Sequence, residues 1–176
     1  MNPRRPDPTE FAPFYAGYIA RVIETDVLPA LGSQPAELLA LAHRVPADRE
    51  LFRYAAEKWS VRQTFGHLVD TERVMSYRAF CIARGETQAL PGFDENEYVA
   101  RADSDQRPVT EIAREFDAIR QATVLMIRRW TSDEWGRVGN ANGKAVSARA
   151  LAFIMAGHVR HHVALLQERY GLTSTA

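Results

Sequence analysis

Four stretches of this chain repeat apolar residues every three to four positions, and no run between them alternates with the two-residue period of a strand. The first covers residues 11–27, with Phe11, Tyr15, Tyr18 and Val22 on one face; Pro29, Gly32 and Pro35 then read as a break. The second covers residues 60–83, opened by Ser60 as N-cap with Gln63 three positions on, the pattern of a capping box. Its stripe is Val61, Phe65, Leu68, Met75, Ala79 and Ile82. The third starts at Pro108 or Val109 and reaches Trp130, with Ile112, Phe116, Ile119 and Met126 in register. The fourth follows Ser147, carries Leu151, Met155, Leu165 and Leu166, and ends at Gly171, a C′ glycine. An amphipathic helix is stable only against a partner. Four of them in 176 residues predict one all-α domain, a four-helix bundle.

The connections carry less signal. GRVGNANGKAVS (residues 136–147) could form a small turn or hairpin, and residues 33–58 include an expected short helix over 49–57. Residues 84–107 lack helical periodicity and read as one long loop. Within it Asp94, Glu95 and Tyr98 could line or cap a cleft, with a plain surface loop as the simpler reading. A 46% share of hydrophobic residues allows a core without disulfides, and the single cysteine, Cys81, allows none within the chain. Cys81 reads as a small buried apolar residue, and Trp59, Trp130 and Trp135 as packing residues. The 22 basic residues balance 22 acidic ones, and Arg128 with Arg129 is only a short charged pair. Neither nucleic acid nor an anionic membrane is therefore an expected partner. The N-terminal residues have no apolar run behind their arginines, and no stretch reaches the roughly 18 apolar residues a membrane span needs. Cytoplasmic placement is the default expectation.

Three of the five histidines crowd into GHVRHHVALLQERYG. His158 and His162 lie one turn apart, roughly 40° on the wheel, in the middle of the stripe of Leu151, Met155 and Leu165. They point into the bundle; His161 falls on the flank of that line. One buried imidazole can stay neutral and find a hydrogen bond. Two, stacked in an interior that otherwise holds hydrocarbon, are harder to explain by packing, and a metal ion takes a lone pair from each. A third donor would come from another helix. His67, at the border of the second stripe, is the natural candidate, whereas His43 lies in a loop or short segment without packing context. From spacing alone, a ligand and an ordinary helix-border histidine are equally good readings of His67. Glu72 falls among Leu68 and Met75, so its carboxylate points inward. It could hold a ligand histidine by the second ring nitrogen or pair with an arginine between helices, the favoured of the two. Asp70 projects to the solvated side.

WSVRQTFGHLVDTER followed by GHVRHHVALLQERYG resembles the DinB-like superfamily, in particular its YfiT-like branch. The resemblance extends over residues 54–171 and includes the PGFDENEY segment. It implies an up-down-down-up four-helix bundle that carries a divalent metal ion, commonly zinc or nickel. The ligands would be one histidine of the second helix and the H-x-x-x-H of the last, here His67, His158 and His162. It further implies a small-molecule substrate. Some relatives transfer a low-molecular-weight thiol such as bacillithiol or mycothiol, or isomerise maleylpyruvate with one, so a metal-dependent thiol transferase is the expected activity. A metal-dependent hydrolase and a non-catalytic metal-binding bundle are the alternatives, and pairing into homodimers is a further expectation from relatives.

Overall fold

The computed structural model describes residues 4–172. Its elements in chain order are α1 (Ala16–Ala20), α2 (Leu28–His43), α3 (Val61–Ala83), α4 (Glu95–Arg101), α5 (Val109–Ile127), α6 (Ser132–Gly136), β1 (Val138–Ala141), β2 (Lys144–Ser147) and α7 (Ala148–Tyr170), with two one-turn 3-10 segments ahead of α1 and two more between later elements. The long helices form a closed ring: α2 packs on α5, α5 on α3, α3 on α7, and α7 back on α2. No described helix is long and apolar enough to cross a membrane.

Three of the four bundle helices lie where the apolar stripes put them. α3 begins at a complete capping box, in which Ser60 Oγ accepts from Gln63 N and Gln63 Oε1 from Ser60 N. α7 starts on Ser147, whose hydroxyl accepts from Ala150 N, and stops at Gly171 with φ 70°.

The remaining helix corrects the expectation. Residues 11–27 do not supply a bundle helix; they hold a 3-10 turn over Pro13–Tyr15 and the five residues of α1. The fourth bundle member is α2, which runs through the Pro29, Gly32 and Pro35 that read as a break. Pro29 sits in the first turn, where its missing N–H has no intrahelical partner to lose. Pro35 is internal and costs about 3 kcal/mol. Leu31, Leu38 and Leu41 become almost wholly buried on the same helix, and each contributes about 1.5–3 kcal/mol. Burial outweighs the breaker.

Residues 49–57 are likewise not a helix beyond the 3-10 turn Ala47–Arg49. The carbonyls of Glu50 and Phe52 instead accept from Arg62 N and Val61 N, satisfying the first turn of α3. The 84–107 stretch does contain a helix: Asp94 caps α4 through Asn96 N and Glu97 N. α4 buries only Val99, so it leaves no stripe in the sequence. The hairpin forms around Asn142 and Gly143, both at positive φ, the geometry of a two-residue turn that matches strand twist.

A polar strut crosses the interior. Arg120 on α5 donates two bonds of 2.8 Å to the carboxylate of Glu72 on α3 and one of 2.6 Å to Gln34 Oε1 on α2. Gln34 Nε2 in turn donates to the Ala156 carbonyl on α7 at 2.7 Å. Glu72 thus answers a guanidinium and not a histidine. Its buried charge is paired and its lone pairs are used, the condition under which such a group is tolerated.

α1 lies against α7 at a point where only a glycine fits. A Cβ on Gly157 would stand 2.0 Å from the backbone carbonyl oxygen of Tyr18, whereas one on Gly32 in α2 would meet nothing within 4 Å. Gly157→Ala is therefore expected to destabilise by about 1–3 kcal/mol through overpacking. Gly32→Ala is expected to stabilise by about 0.5–1 kcal/mol. Urea unfolding midpoints of the two variants check this; a neutral Gly157→Ala would contradict the docking of α1.

Candidate metal centre

Three imidazoles meet between α3 and α7. His67 enters from α3, and His158 and His162 from adjacent turns of α7; all three are buried. One ring nitrogen from each lies within 4.8 Å of the others, and His67 Nε2 stands 3.0 Å from His158 Nε2. Ring centroids are 4.9 Å apart for His67 and His158, 4.8 Å for His67 and His162, and 4.5 Å for His158 and His162. The interior supplies little else to satisfy them. Thr71 Oγ1 is 3.5 Å from His67 Nδ1, a long contact, and His162 Nδ1 has no hydrogen-bond partner among the described residues.

Burial sets the charge state. Desolvation pushes the His67 imidazole from 6.5 down to about 4, with nearby His161 adding to the shift. Desolvation and then the neighbouring imidazoles hold His158 and His162 well below the ordinary histidine range. At neutral pH the three rings are uncharged, and His67 and His158 bring their Nε2 atoms into hydrogen-bond contact. Neutral imidazole nitrogens in this number suit a divalent cation of borderline softness, and the orphaned Nδ1 of His162 marks how little the surrounding protein offers these rings in its place. The residues fit the group.

Aromatic side chains surround the trio. Trp59, just ahead of the α3 cap, lies 4.6 Å from the His67 ring and stacks at 6.5 Å on His162. Tyr18 of α1 meets His158 edge-on at 5.4 Å, and His161 at the same distance. His161 is half-buried and lies outside the group of converging nitrogens. His43 ends α2, exposed and outside that group. Cys81 is buried and free. Trp130 and Trp135 pack on each other in the core, as packing residues do. Asp70, expected in solvent, is half-buried, and its carboxyl is pushed up by that burial.

A cleft of about 340 Å³ opens at the trio, with His67 and His158 in its wall and His162 outside the lining. Tyr15 and Tyr18, Phe93 and Glu95, and Asn142 and Lys144 of the hairpin turn and β2 also line it. The segment read as a surface loop thus supplies cleft wall through Glu95, while Asp94 only caps α4 and Tyr98 is exposed. Trp59 and Tyr18 carried no usable signal. Arg78 did: it follows His67 by eleven residues, which returns it to within about 20° on the wheel, and it also lines the cleft.

A helical bundle with a buried imidazole trio beneath an open cleft is, as a class, a bundle built around a candidate metal centre. The chain belongs to the DinB superfamily, whose family model matches residues 30–166. A protein of Oceanobacillus iheyensis that carries a provisional metal-dependent hydrolase name is 26% identical over 120 residues, covering 66% of this chain and 68% of its own. Among solved structures, YfiT from Bacillus subtilis, described as a probable metal-dependent hydrolase with an unusual four-helix bundle topology, superposes with a TM-score of 0.73 at 22% identity, over 82% of this chain and 86% of that one. A second DinB-like protein of Bacillus subtilis, YjoA, gives 0.55 at 19% identity over 80% and 85%. At those identities the structures speak for the fold.

The buried rings make stability pH-dependent with a definite sign. Below 6.5 the unfolded chain protonates its histidines, while the folded chain resists down to about 4 at His67. Over that window the unfolded state binds more protons, so stability falls as pH drops. The urea midpoint of metal-free protein is expected to be lower at pH 5 than at pH 7.5, and a His158→Gln variant to show a shallower slope. Identical midpoints at the two pH values would contradict the neutral, desolvated trio.

Proposed function

We propose that His67, His158 and His162 hold one divalent cation, zinc or nickel, and that the protein is a metal-dependent transferase of a low-molecular-weight thiol to a small electrophile. The observation that carries this reading is the convergence of three neutral, buried imidazoles beneath an open cleft. Three protein donors, in place of four, is the count of reactive zinc sites. When bound, the cation supplies Lewis acidity, lowering the pKa of a thiol or water that reaches it.

What the chain itself contributes is exclusion and positioning. Trp59 and Tyr18 flank the rings with aromatic surface and keep water from their sides. The strut through Glu72 and Arg120 joins α3 to the rest of the bundle five residues from His67, and its bond to Ala156 falls two residues from His158. The donors are thereby held by packed helices and not by loops.

The preference for thiol over water rests on where the described carboxylates stand. Among the described residues no carboxylate hydrogen-bonds to any of the three rings, and Glu72 is fully engaged by Arg120. Coordination deprotonates a thiol outright, whereas a bound water is brought only to about neutrality, so hydrolysis gains more from a placed base. Hydrolysis is the second reading, favoured by the names of the relatives. It would call on Glu95, the one carboxylate in the cleft wall.

Elemental analysis of untagged protein tests the centre. One metal per chain is expected in the wild type, with loss of 90% or more in His67→Ala and His158→Ala; full occupancy in either variant removes the site. A thiol panel with a chromogenic aryl halide, run beside an ester panel, then separates the two activities. Thiol-dependent turnover that survives Glu95→Gln supports the transferase. Ester turnover lost in Glu95→Gln supports the hydrolase.

A further inference from the structure

Arg78 has no part in the metal centre, yet it is a charged group at 3% exposure in the wall of the same cleft. Nearly every other buried arginine or partly buried one in this fold meets a carboxylate: Arg120 meets Glu72, Arg62 meets Glu50, and Arg149 meets Glu10. Arg78 meets none. Its guanidinium donates to the Pro91 carbonyl at 2.6 Å, approaches Met75 Sδ at 3.7 Å, hydrogen-bonds with the Tyr15 phenol and lies 5.7 Å from the centre of the Phe93 ring. Every one of these is neutral. A desolvated guanidinium carries five donors; the carbonyl, the thioether, the phenol and the ring face engage part of that capacity, and none of them brings a counter-charge. Across the cleft, exposed Lys144 adds a second cation, against a single carboxylate, Glu95.

We propose that Arg78 is an anion-binding residue of the cleft and that the small molecule bound there carries a carboxylate at the end remote from the histidines. The separation of the two ends follows from the helix. Eleven residues at 1.5 Å each place the Cα atoms of His67 and Arg78 about 16 Å apart. The arginine leans back toward the start of α3, as its contact with Met75 shows, and this shortens the gap to roughly 10 Å. The fitting ligand is therefore an elongated acid with its reactive group and its carboxylate roughly ten ångströms apart. The planar fork of arginine favours a carboxylate, which can accept two parallel bonds. The inference rests on the proposed function only for where the reactive end lies; the anion site stands on Arg78 itself.

The test uses the cobalt-loaded full chain with 8-mercaptooctanoate and its uncharged counterpart 8-mercaptooctanol. Calorimetry reads affinity, and the visible absorbance of the cobalt reads whether the thiol reaches the metal. The acid is expected to bind at least tenfold tighter than the alcohol. Arg78→Met is expected to remove that preference while leaving the affinity for the alcohol unchanged, which also reports that the cleft is intact. Arg78→Lys is expected to restore part of it. Equal affinity of acid and alcohol in the wild type, or a preference that survives Arg78→Met, overturns the proposal. A preference that depends on Arg78 without any change in cobalt absorbance keeps the anion site and removes the thiol reading. Equal absorbance changes with equal affinities do the reverse.

Discussion

The four bundle helices are tied together by one buried guanidinium. Arg120 reaches Glu72 on α3 and Gln34 on α2, and Gln34 passes the connection to the backbone of α7. Apolar packing alone tolerates small slides of one helix on another, because hydrocarbon contacts are nondirectional. A bidentate ion pair in a dry interior is not so forgiving: any slide that breaks it strands a charge, at about 3–5 kcal/mol. The register of α3 against α7 is what brings His67 to His158, so the strut and the histidine trio belong to one design. The strut also explains how α2 keeps its place despite an internal proline, since Gln34 immediately precedes Pro35.

Around that frame the trio concentrates three polar rings where the bundle would otherwise hold leucine. The interior holds them in the neutral form and supplies almost no hydrogen bonds, leaving His162 Nδ1 without a partner. The arrangement is costly as bare packing and makes sense as a donor set. The cleft then divides into two regions of different character. One part of its lining offers the uncharged rings of His67 and His158, and another offers the cations Arg78 and Lys144. A ligand that satisfies both must be bifunctional.

Much of this was legible in the sequence where burial is periodic. Ser60 with Gln63, Ser147 and Gly171 marked three helix ends, and the stripes of α3, α5 and α7 named their inward faces. His158 and His162 followed from spacing in the same way. His67 needed the resemblance to distinguish it from a border histidine, since a wheel gives direction but not distance. The failures have physical causes. Residues 11–27 show a helical period but form only a 3-10 turn and the short α1, whose Ile19 is buried in the core where α1 packs on α7, with Val22 and Val27 buried beyond it. α2 was hidden by prolines whose cost is met by burial elsewhere. α4 buries one side chain and has no period to read. Trp59 and Tyr18 reach the site through tertiary contacts that no local pattern encodes.

In the proposed centre one cation draws its protein donors from His67, His158 and His162 alone. X-ray absorption at the metal edge measures this without reference to activity. Three imidazole scatterers at about 2.0–2.1 Å, with a remaining light-atom shell and no sulfur, are the predicted result. A spectrum with fewer than three imidazoles, or with a sulfur distance near 2.3 Å in protein free of added thiol, would contradict it.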